Sequence, residues 1–211
     1  MTQHIDFYFD FGSPASYLAW TQLPKIAADE GAELVFKPVL LGAIHKATNN
    51  ASPATIPAKA IWMQGDLERF ARLYGVGFKH NPFLPINTLA LMRGATGTQM
   101  RNEQLFHQYL DVVFRAMWET PRNLGDMATL QSVLRDGDLD TELIFSIAED
   151  PTVKTKLRAD TDDAVGRGLF GAPTMFVGDT MFFGQDRLNF VRHALRPERG
   201  IGAAAPHTLT P

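Results

Sequence analysis

The chain begins with an alternation of apolar and polar positions that is typical of a β-strand. In residues 5–11 (IDFYFDF) every second residue is apolar and falls on one face. Residues 14–28 have helical spacing, with Pro24 predicting a kink or a break between two helices. Residues 33–39 (ELVFKPV) predict a second strand. Two strands joined by a helix of this length form a βαβ crossover, so we expect them to pair in parallel.

The middle of the chain has a helical pattern. Residues 46–57 form a polar loop that is interrupted by prolines. Between residues 40 and 172 no strand pattern of comparable quality is found. The predicted helices cover residues 59–75, 87–96, 101–118, 126–135, 140–149 and 151–167.

Strand patterns return near the C-terminus. Residues 173–184 contain two short apolar runs around Gly178-Asp179, which predict a β-hairpin, and a last helix is expected over residues 186–195. Residues 197–211 are rich in Gly, Ala and Pro, so we expect a flexible tail. The order βαβ, helices, ββα predicts an α/β protein in which the hairpin lies beside the first two strands and the helices cover one side.

Composition and charge exclude several classes of function. The net charge is −3 and no run of Lys and Arg is present, which argues against nucleic acid or an anionic membrane as partner. The absence of cysteine excludes a disulfide scaffold and dithiol exchange, and suits a reducing compartment. The six histidines have no metal-ligand spacing, so we predict no metal. With no signal-peptide or membrane-span pattern, we expect a cytoplasmic protein.

A serine stands at the turn between the first strand and the first helix. Ser13 precedes Pro14, which suits an N-cap followed by the first helical residue. The same position could receive an anion, because the first N–H groups of a helix are unpaired and the helix dipole favours negative charge. Ser16 lies one turn later and could cap or solvate the helix. Both interpretations of Ser13 stay open at this point.

The element order, together with Gly-Ala-Pro-Thr before the third strand, resembles the thioredoxin superfamily. The inserted helices resemble the branch of DsbA-type oxidoreductases and kappa-class glutathione transferases. Within it, four ordered segments are most similar to the 2-hydroxychromene-2-carboxylate isomerases: FDFGSPASYLAW, KATNNASPATIPAKAIWMQGDLERFARLYGV, FLPINTLALMRGA and FGAPTMFVGDTMFFGQDRL.

The resemblance implies a thioredoxin-like domain with a large all-helical insertion. The thioredoxin-like domain would be discontinuous, would bind glutathione and would comprise residues 1–43 and 168–196. Residues 44–167 would form the insertion, followed by the flexible tail.

The resemblance also implies the position of a glutathione site. Ser13 would face the glutathione sulfur and be the catalytic residue. Ala172 and Pro173 would form a cis-proline loop that pairs with the cysteinyl backbone. Gln185 and Asp186 would hold the γ-glutamyl end, although Asp186 could instead be only the N-cap of the last helix. A hydroxyl hydrogen bond of about 1.5–3 kcal/mol and a dipole contribution of about 0.3–1 kcal/mol would lower the thiol pKa by roughly one to three units.

The substrate is expected between this domain and the inserted helices. Lys59 is either an exposed cation at a helix start or the partner of a substrate carboxylate. Asn49 and Asn50 lie in the polar loop, where Asn50 could donate to a developing phenolate. Asn87 is either a substrate contact or the cap of its helix.

The function implied is a glutathione-dependent isomerase of aromatic hydrocarbon catabolism. It would interconvert 2-hydroxychromene-2-carboxylate and trans-o-hydroxybenzylidenepyruvate by transient addition of the glutathione thiolate, so its partner would be a small aromatic keto or hydroxy acid. Two alternatives stay open: a kappa-like transferase that conjugates glutathione to electrophiles, and a non-catalytic DsbA-like protein that binds glutathione or a small acid. Members of the family are often dimeric, so the resemblance implies that this protein could form a homodimer.

Overall fold

The computed structural model describes residues 3–196 and contains one mixed β-sheet in that part of the chain. Its strands are β1 (His4–Phe9), β2 (Glu33–Pro38), β3 (Thr174–Val177) and β4 (Thr180–Phe183). They lie in the order β2-β1-β3-β4, with β1 parallel to β2 and antiparallel to β3. The predicted parallel pair and C-terminal hairpin are therefore confirmed. The predicted tail, residues 197–211, lies outside the described residues.

The helices follow the predicted order around this sheet. The helix α1 (Pro14–Glu30) joins β1 to β2, and α9 (Leu188–Ala194) follows β4. The insertion between β2 and β3 holds α2 (Leu41–Ala47), α3 (Pro57–Tyr74), α4 (Leu89–Arg101), α5 (Glu103–Trp118), α6 (Met127–Asp136), α7 (Thr141–Glu149) and α8 (Pro151–Gly166). The thioredoxin-like fold with a helical insertion is confirmed, whereas the exact limits of the two domains stay a prediction.

Three local predictions are corrected by the structure. The predicted break at Pro24 is absent, since α1 runs through this residue, whereas a kink there stays a prediction. The polar loop is partly helical, since α2 ends inside it and a 3₁₀ turn covers Pro53–Thr55. The last helix begins at Leu188, after a 3₁₀ turn over Gln185–Arg187.

An aromatic cluster joins the sheet to the inserted helices. Phe9 and Phe11, at the end of β1 and just beyond it, pack against Phe114 of α5, with ring centroids 5.7 and 4.7 Å apart. The Trp118 indole N–H donates to the Phe11 carbonyl at 2.8 Å. These four residues are fully buried. The backbone that leads into the turn at Ser13 is therefore held by contacts with α5.

Candidate active site

The segment after β1 forms a tight turn that presents Ser13 at the start of α1. The Asp10 carboxyl accepts the Gly12 N–H at 2.8 Å, and the Ser13 N–H donates to the Asp10 carbonyl at 3.1 Å. The Ser13 hydroxyl oxygen accepts the Ser16 N–H at 3.1 Å, so Ser13 is the N-cap of α1. Ser16 neither caps nor solvates the helix, because it is fully buried and its hydroxyl has no hydrogen-bond partner among the described residues.

The Ser13 hydroxyl also donates a hydrogen bond. Its acceptor is the carbonyl of Ala172, at 2.9 Å, in the segment before β3. The Ala172–Pro173 peptide bond is cis, as the resemblance implied. A hydroxyl has a single proton to donate. Any acceptor that enters beside Ser13 therefore competes with Ala172 for that proton.

A cavity of about 480 Å³ opens in front of this turn. Ser13 lines it although its own exposure is only 5%. The thioredoxin-like side of the cavity consists of Gly12–Ala15, Phe170–Pro173 and Phe183–Arg187. The other side consists of residues from α2, the following loop and α3: Leu41, His45, Asn50–Pro53, Trp62, Met63, Asp66 and Leu67. The cavity thus lies between the sheet and the first part of the insertion.

The far end of the thioredoxin-like side is the 3₁₀ turn over Gln185–Arg187. The Tyr74 hydroxyl donates to the Gln185 carbonyl at 2.7 Å, and burial with the nearby Asp186 raises the pKa of Tyr74 to about 12. The Gln185 side chain lines the cavity and makes no hydrogen bond to another described residue. Asp186 pairs with Arg187 at 2.5 Å. Asp186 is not the N-cap of α9, because that position is Arg187.

The four residues predicted to contact substrate are not brought together. Asn50 lines the cavity, where its side-chain N–H donates to the Phe170 carbonyl at 2.8 Å and its oxygen accepts the Ala51 N–H at 2.8 Å. Asn49 and Lys59 are exposed and are not among the lining residues.

Asn87 borders a second, smaller cavity of about 250 Å³. Its side-chain oxygen accepts the Leu89 N–H at 3.0 Å, at the start of α4. The structure therefore gives Asn87 a role at a helix start. Substrate contact by these four residues stays a prediction.

Asp10 is a buried site residue that the sequence reasoning missed. It is 1% exposed, and its second carboxyl oxygen accepts the Leu41 N–H at 2.9 Å. Burial raises the pKa of Asp10, while the bonds from Gly12, Leu41 and Thr88 act in the opposite direction. An aspartate inside the apolar run FYFDF was the available signal, because a buried carboxyl needs several donors.

The apolar part of the cavity was also missed. Trp62 and Met63 of α3 line it together with Phe170 and Phe183, whose ring centroids are 4.7 Å apart. These residues are far apart in the sequence, and the packing of α3 against α1 places them at the same cavity. The cavity can therefore receive an aromatic or otherwise apolar group beside Ser13.

Residues 3–196 contain neither of two other kinds of functional feature. No group of three or more His, Cys, Asp or Glu side chains there is arranged to hold a metal ion. No helix in the same range combines the length and hydropathy needed to cross a bilayer. The cavity at Ser13 is the one at which the residues that the resemblance assigned to glutathione lie together.

The sequence matches a protein family over almost its whole length. The family described as the DSBA-like thioredoxin domain matches residues 4–196. A 2-hydroxychromene-2-carboxylate isomerase from Sphingobium xenophagum is 30% identical over 197 residues, which cover 92% of this chain and 99% of that protein. Glutathione S-transferase kappa 1 from Caenorhabditis elegans is 26% identical over 215 residues, covering 94% and 95%.

Solved structures agree with the sequence comparison. A selenomethionine 2-hydroxychromene-2-carboxylate isomerase superposes with a TM-score of 0.78 at 30% identity, covering 91% of this chain and 94% of that one. A probable DsbA oxidoreductase from Streptomyces coelicolor superposes with a TM-score of 0.70 at 18% identity, covering 97% and 93%. The second likeness shows the shared fold alone.

Proposed function

Because the chain belongs to the family of DSBA-like thioredoxin domains, in the branch of 2-hydroxychromene-2-carboxylate isomerases and kappa glutathione transferases, we propose that it is a glutathione-dependent isomerase. Its substrate is 2-hydroxychromene-2-carboxylate or a similar small aromatic hydroxy or keto acid. The homodimer and the cytoplasmic location stay predictions from the sequence.

One observation carries this proposal. The residues that the resemblance assigned to glutathione, although far apart in sequence, line a single cavity: Ser13, Ala172, Pro173, Gln185 and Asp186. No described residue accepts a hydrogen bond from the Ala172 N–H, and the Gln185 amide is likewise without a partner. Unpaired polar groups at a cavity wall suit a peptide ligand that supplies the missing bonds. The residues present therefore fit the tripeptide.

The protein's own contribution is to receive a negative sulfur. Glutathione supplies a thiol whose thiolate adds transiently to the substrate. The Ser13 hydroxyl turns away from the Ala172 carbonyl and donates a hydrogen bond to that sulfur. The positive end of the dipole of α1, a helix of 17 residues, lies behind the same position. The apolar wall formed by Trp62, Met63 and Phe170 holds the aromatic ring of the substrate and excludes water from it.

A second candidate, a kappa-like transferase, is favoured by the charge of the cavity. Among the described residues that line the cavity, Arg187 is the only Lys or Arg, and its guanidinium is already paired with Asp186. Lys59, the predicted partner of a substrate carboxylate, does not line the cavity. A cavity without a free cation suits a neutral aromatic electrophile, which a transferase would conjugate and release.

The experiment follows 2-hydroxychromene-2-carboxylate by absorbance, with and without glutathione, while free thiol is titrated. The isomerase predicts conversion that depends on glutathione and leaves the thiol concentration constant. Stoichiometric loss of thiol with a neutral electrophile, and no conversion of the chromene, would support the transferase instead. Calorimetric binding of glutathione without turnover of either substrate would indicate a binding protein. Failure to bind glutathione contradicts all of these functions.

A further inference from the structure

His45 is distinct among the ionisable residues that line the cavity. Within the described chain these are His45, Asp66, Asp186 and Arg187. Asp66 pairs with Arg69 at 3.3 Å, and Asp186 pairs with Arg187. The His45 side chain is half-buried and makes no hydrogen bond or ion pair with another described residue. It is therefore the one of the four that is free to exchange a proton with a ligand.

The position of His45 is tied to that of Ser13 through one carboxyl group. One Asp10 carboxyl oxygen accepts the Leu41 N–H and so holds the first turn of α2. His45 lies in the last turn of the same helix. The other Asp10 oxygen holds the Gly12 N–H, immediately before Ser13. At the end of α2, the Asn50 N–H donates to the His45 carbonyl at 2.9 Å. Both residues are thus fixed relative to the same buried group and face the same cavity.

The surroundings of His45 suit a residue that gains a proton during binding. Burial lowers the pKa of His45, so the free protein holds a neutral imidazole near neutral pH, while the nearby Asp10 opposes this shift. Once protonated, the imidazolium is stabilised by Asp10 and by the C-terminal end of α2, where His45 lies. The other charged groups at the cavity are Asp66, Asp186 and Arg187.

We propose that His45 is the proton acceptor for the glutathione thiol, an inference that rests on the proposed function. A thiol with a pKa of about 8.5 arrives mostly protonated at neutral pH, and a base is needed to ionise it. The S–H bond breaks, an N–H bond forms on the imidazole, and the electron pair stays on sulfur. Ser13 then donates to that sulfur. His45 returns the proton when the thiol re-forms, so no net proton is consumed.

The test observes the His45 imidazole directly by NMR titration, in the free protein and with two probes. Glutathione carries the acidic thiol, and S-methylglutathione is the same tripeptide without it. We expect glutathione to raise the pH midpoint of His45 by about one to three units, because the bound thiolate is an opposite charge. S-methylglutathione should leave the midpoint near its free value. The same midpoint with both probes would overturn the proposal.

A variant adds a second readout. In His45→Gln the thiolate absorbance of bound glutathione should titrate about one unit or more higher than in the unchanged protein. S-methylglutathione binding, measured by calorimetry, should be retained and reports on folding. His80→Gln is the matched control, because His80 is exposed and lies outside the cavity. An unchanged thiol midpoint in His45→Gln overturns this inference alone, whereas absence of glutathione binding to the unchanged protein overturns the proposed function and this inference with it.

Discussion

Replacing Ser13 with alanine removes two hydrogen bonds that one hydroxyl makes at the same time. The Ser16 N–H loses its acceptor at the N-cap of α1, and the Ala172 carbonyl loses its donor. A lost N-cap costs about 1 kcal/mol and a lost neutral hydrogen bond about 0.5–1.5 kcal/mol. We therefore expect the free energy of unfolding of Ser13→Ala to fall by about 1.5–2.5 kcal/mol, with the fold retained.

The effect of Ser13→Ala on the bound thiol is smaller than the sequence alone suggested. A hydroxyl bond to a thiolate contributes about 1.5–3 kcal/mol, but the Ser13 proton must leave the Ala172 carbonyl, which gives back about 0.5–1.5 kcal/mol. The difference lies between about 0 and 2.5 kcal/mol and is centred on about 1.2 kcal/mol, or about one pKa unit. The thiol pKa in the variant should rise by about one unit, so the thiolate fraction should fall, by up to about tenfold at pH values below both thiol pKa values.

Two measurements on each variant separate the cap from the thiolate contact. Urea unfolding gives stability, and the thiolate absorbance of bound glutathione gives the thiol pKa. The control is Asn102→Ala, because Asn102 caps α5 through a 2.7 Å bond from the Leu105 N–H and lies outside the cavity. It should lose about 1 kcal/mol of stability and leave the thiol pKa unchanged. An unchanged thiol pKa in Ser13→Ala, or an equal rise in both variants, would refute the reasoning.

Two further predictions concern stability. Arg196 lowers the pKa of Glu30, so Glu30 contributes stability that is present above its unfolded pKa and is lost as the pH falls through its folded pKa. Urea unfolding should therefore show Glu30→Gln less stable at pH 7, and the difference should close as the pH falls through the folded pKa of Glu30; a difference independent of pH would contradict this. Gly97→Ala would place a Cβ 1.9 Å from Ile147 and should destabilise by about 1–3 kcal/mol. Gly65→Ala meets nothing closer than 3.9 Å and should stabilise by up to about 1 kcal/mol; equal effects at the two glycines would exclude the packing explanation.

The parts of the fold that were predictable are those set by local patterns. Alternation in residues 5–9 and helical spacing over 14–28 require no knowledge of the rest of the chain. The exact end of β1, in contrast, is not determined by a local sequence pattern. The alternation continues to residue 11, but the strand ends at Phe9 because the Asp10 carboxyl turns the chain by binding the Gly12 N–H. Its other oxygen binds Leu41, 31 residues away. Such a partner cannot be read from a neighbouring sequence pattern.

Lys59 illustrates why the position of a residue relative to a cavity is hard to predict from a helical pattern. The α3 residues that line the cavity are Trp62, Met63, Asp66 and Leu67, and Lys59 precedes Trp62 by three positions and Met63 by four on the same helical stripe. The cavity ends before the first turn of α3, so Lys59 lies outside it. Helical side chains lean toward the N-terminus, which takes Lys59 further from the cavity. Where a cavity ends depends on how the helices pack together, and the spacing of residues along one helix does not reveal that packing.

The polar groups of the cavity show what a chain without cysteine has to supply. The Ser13 hydroxyl, the free Ala172 N–H and the start of α1 are all donors or positive ends of dipoles. Donors stabilise a thiolate once it exists, but they take no proton from a thiol. Of the carboxylates at the cavity, Asp66 and Asp186 are already paired with arginines. Proton removal is thus left to His45 or to water. If His45 takes the proton, its pH midpoint should differ between the free protein and the glutathione complex. The midpoint should not change when S-methylglutathione binds, whereas proton removal by water would leave it the same with both ligands.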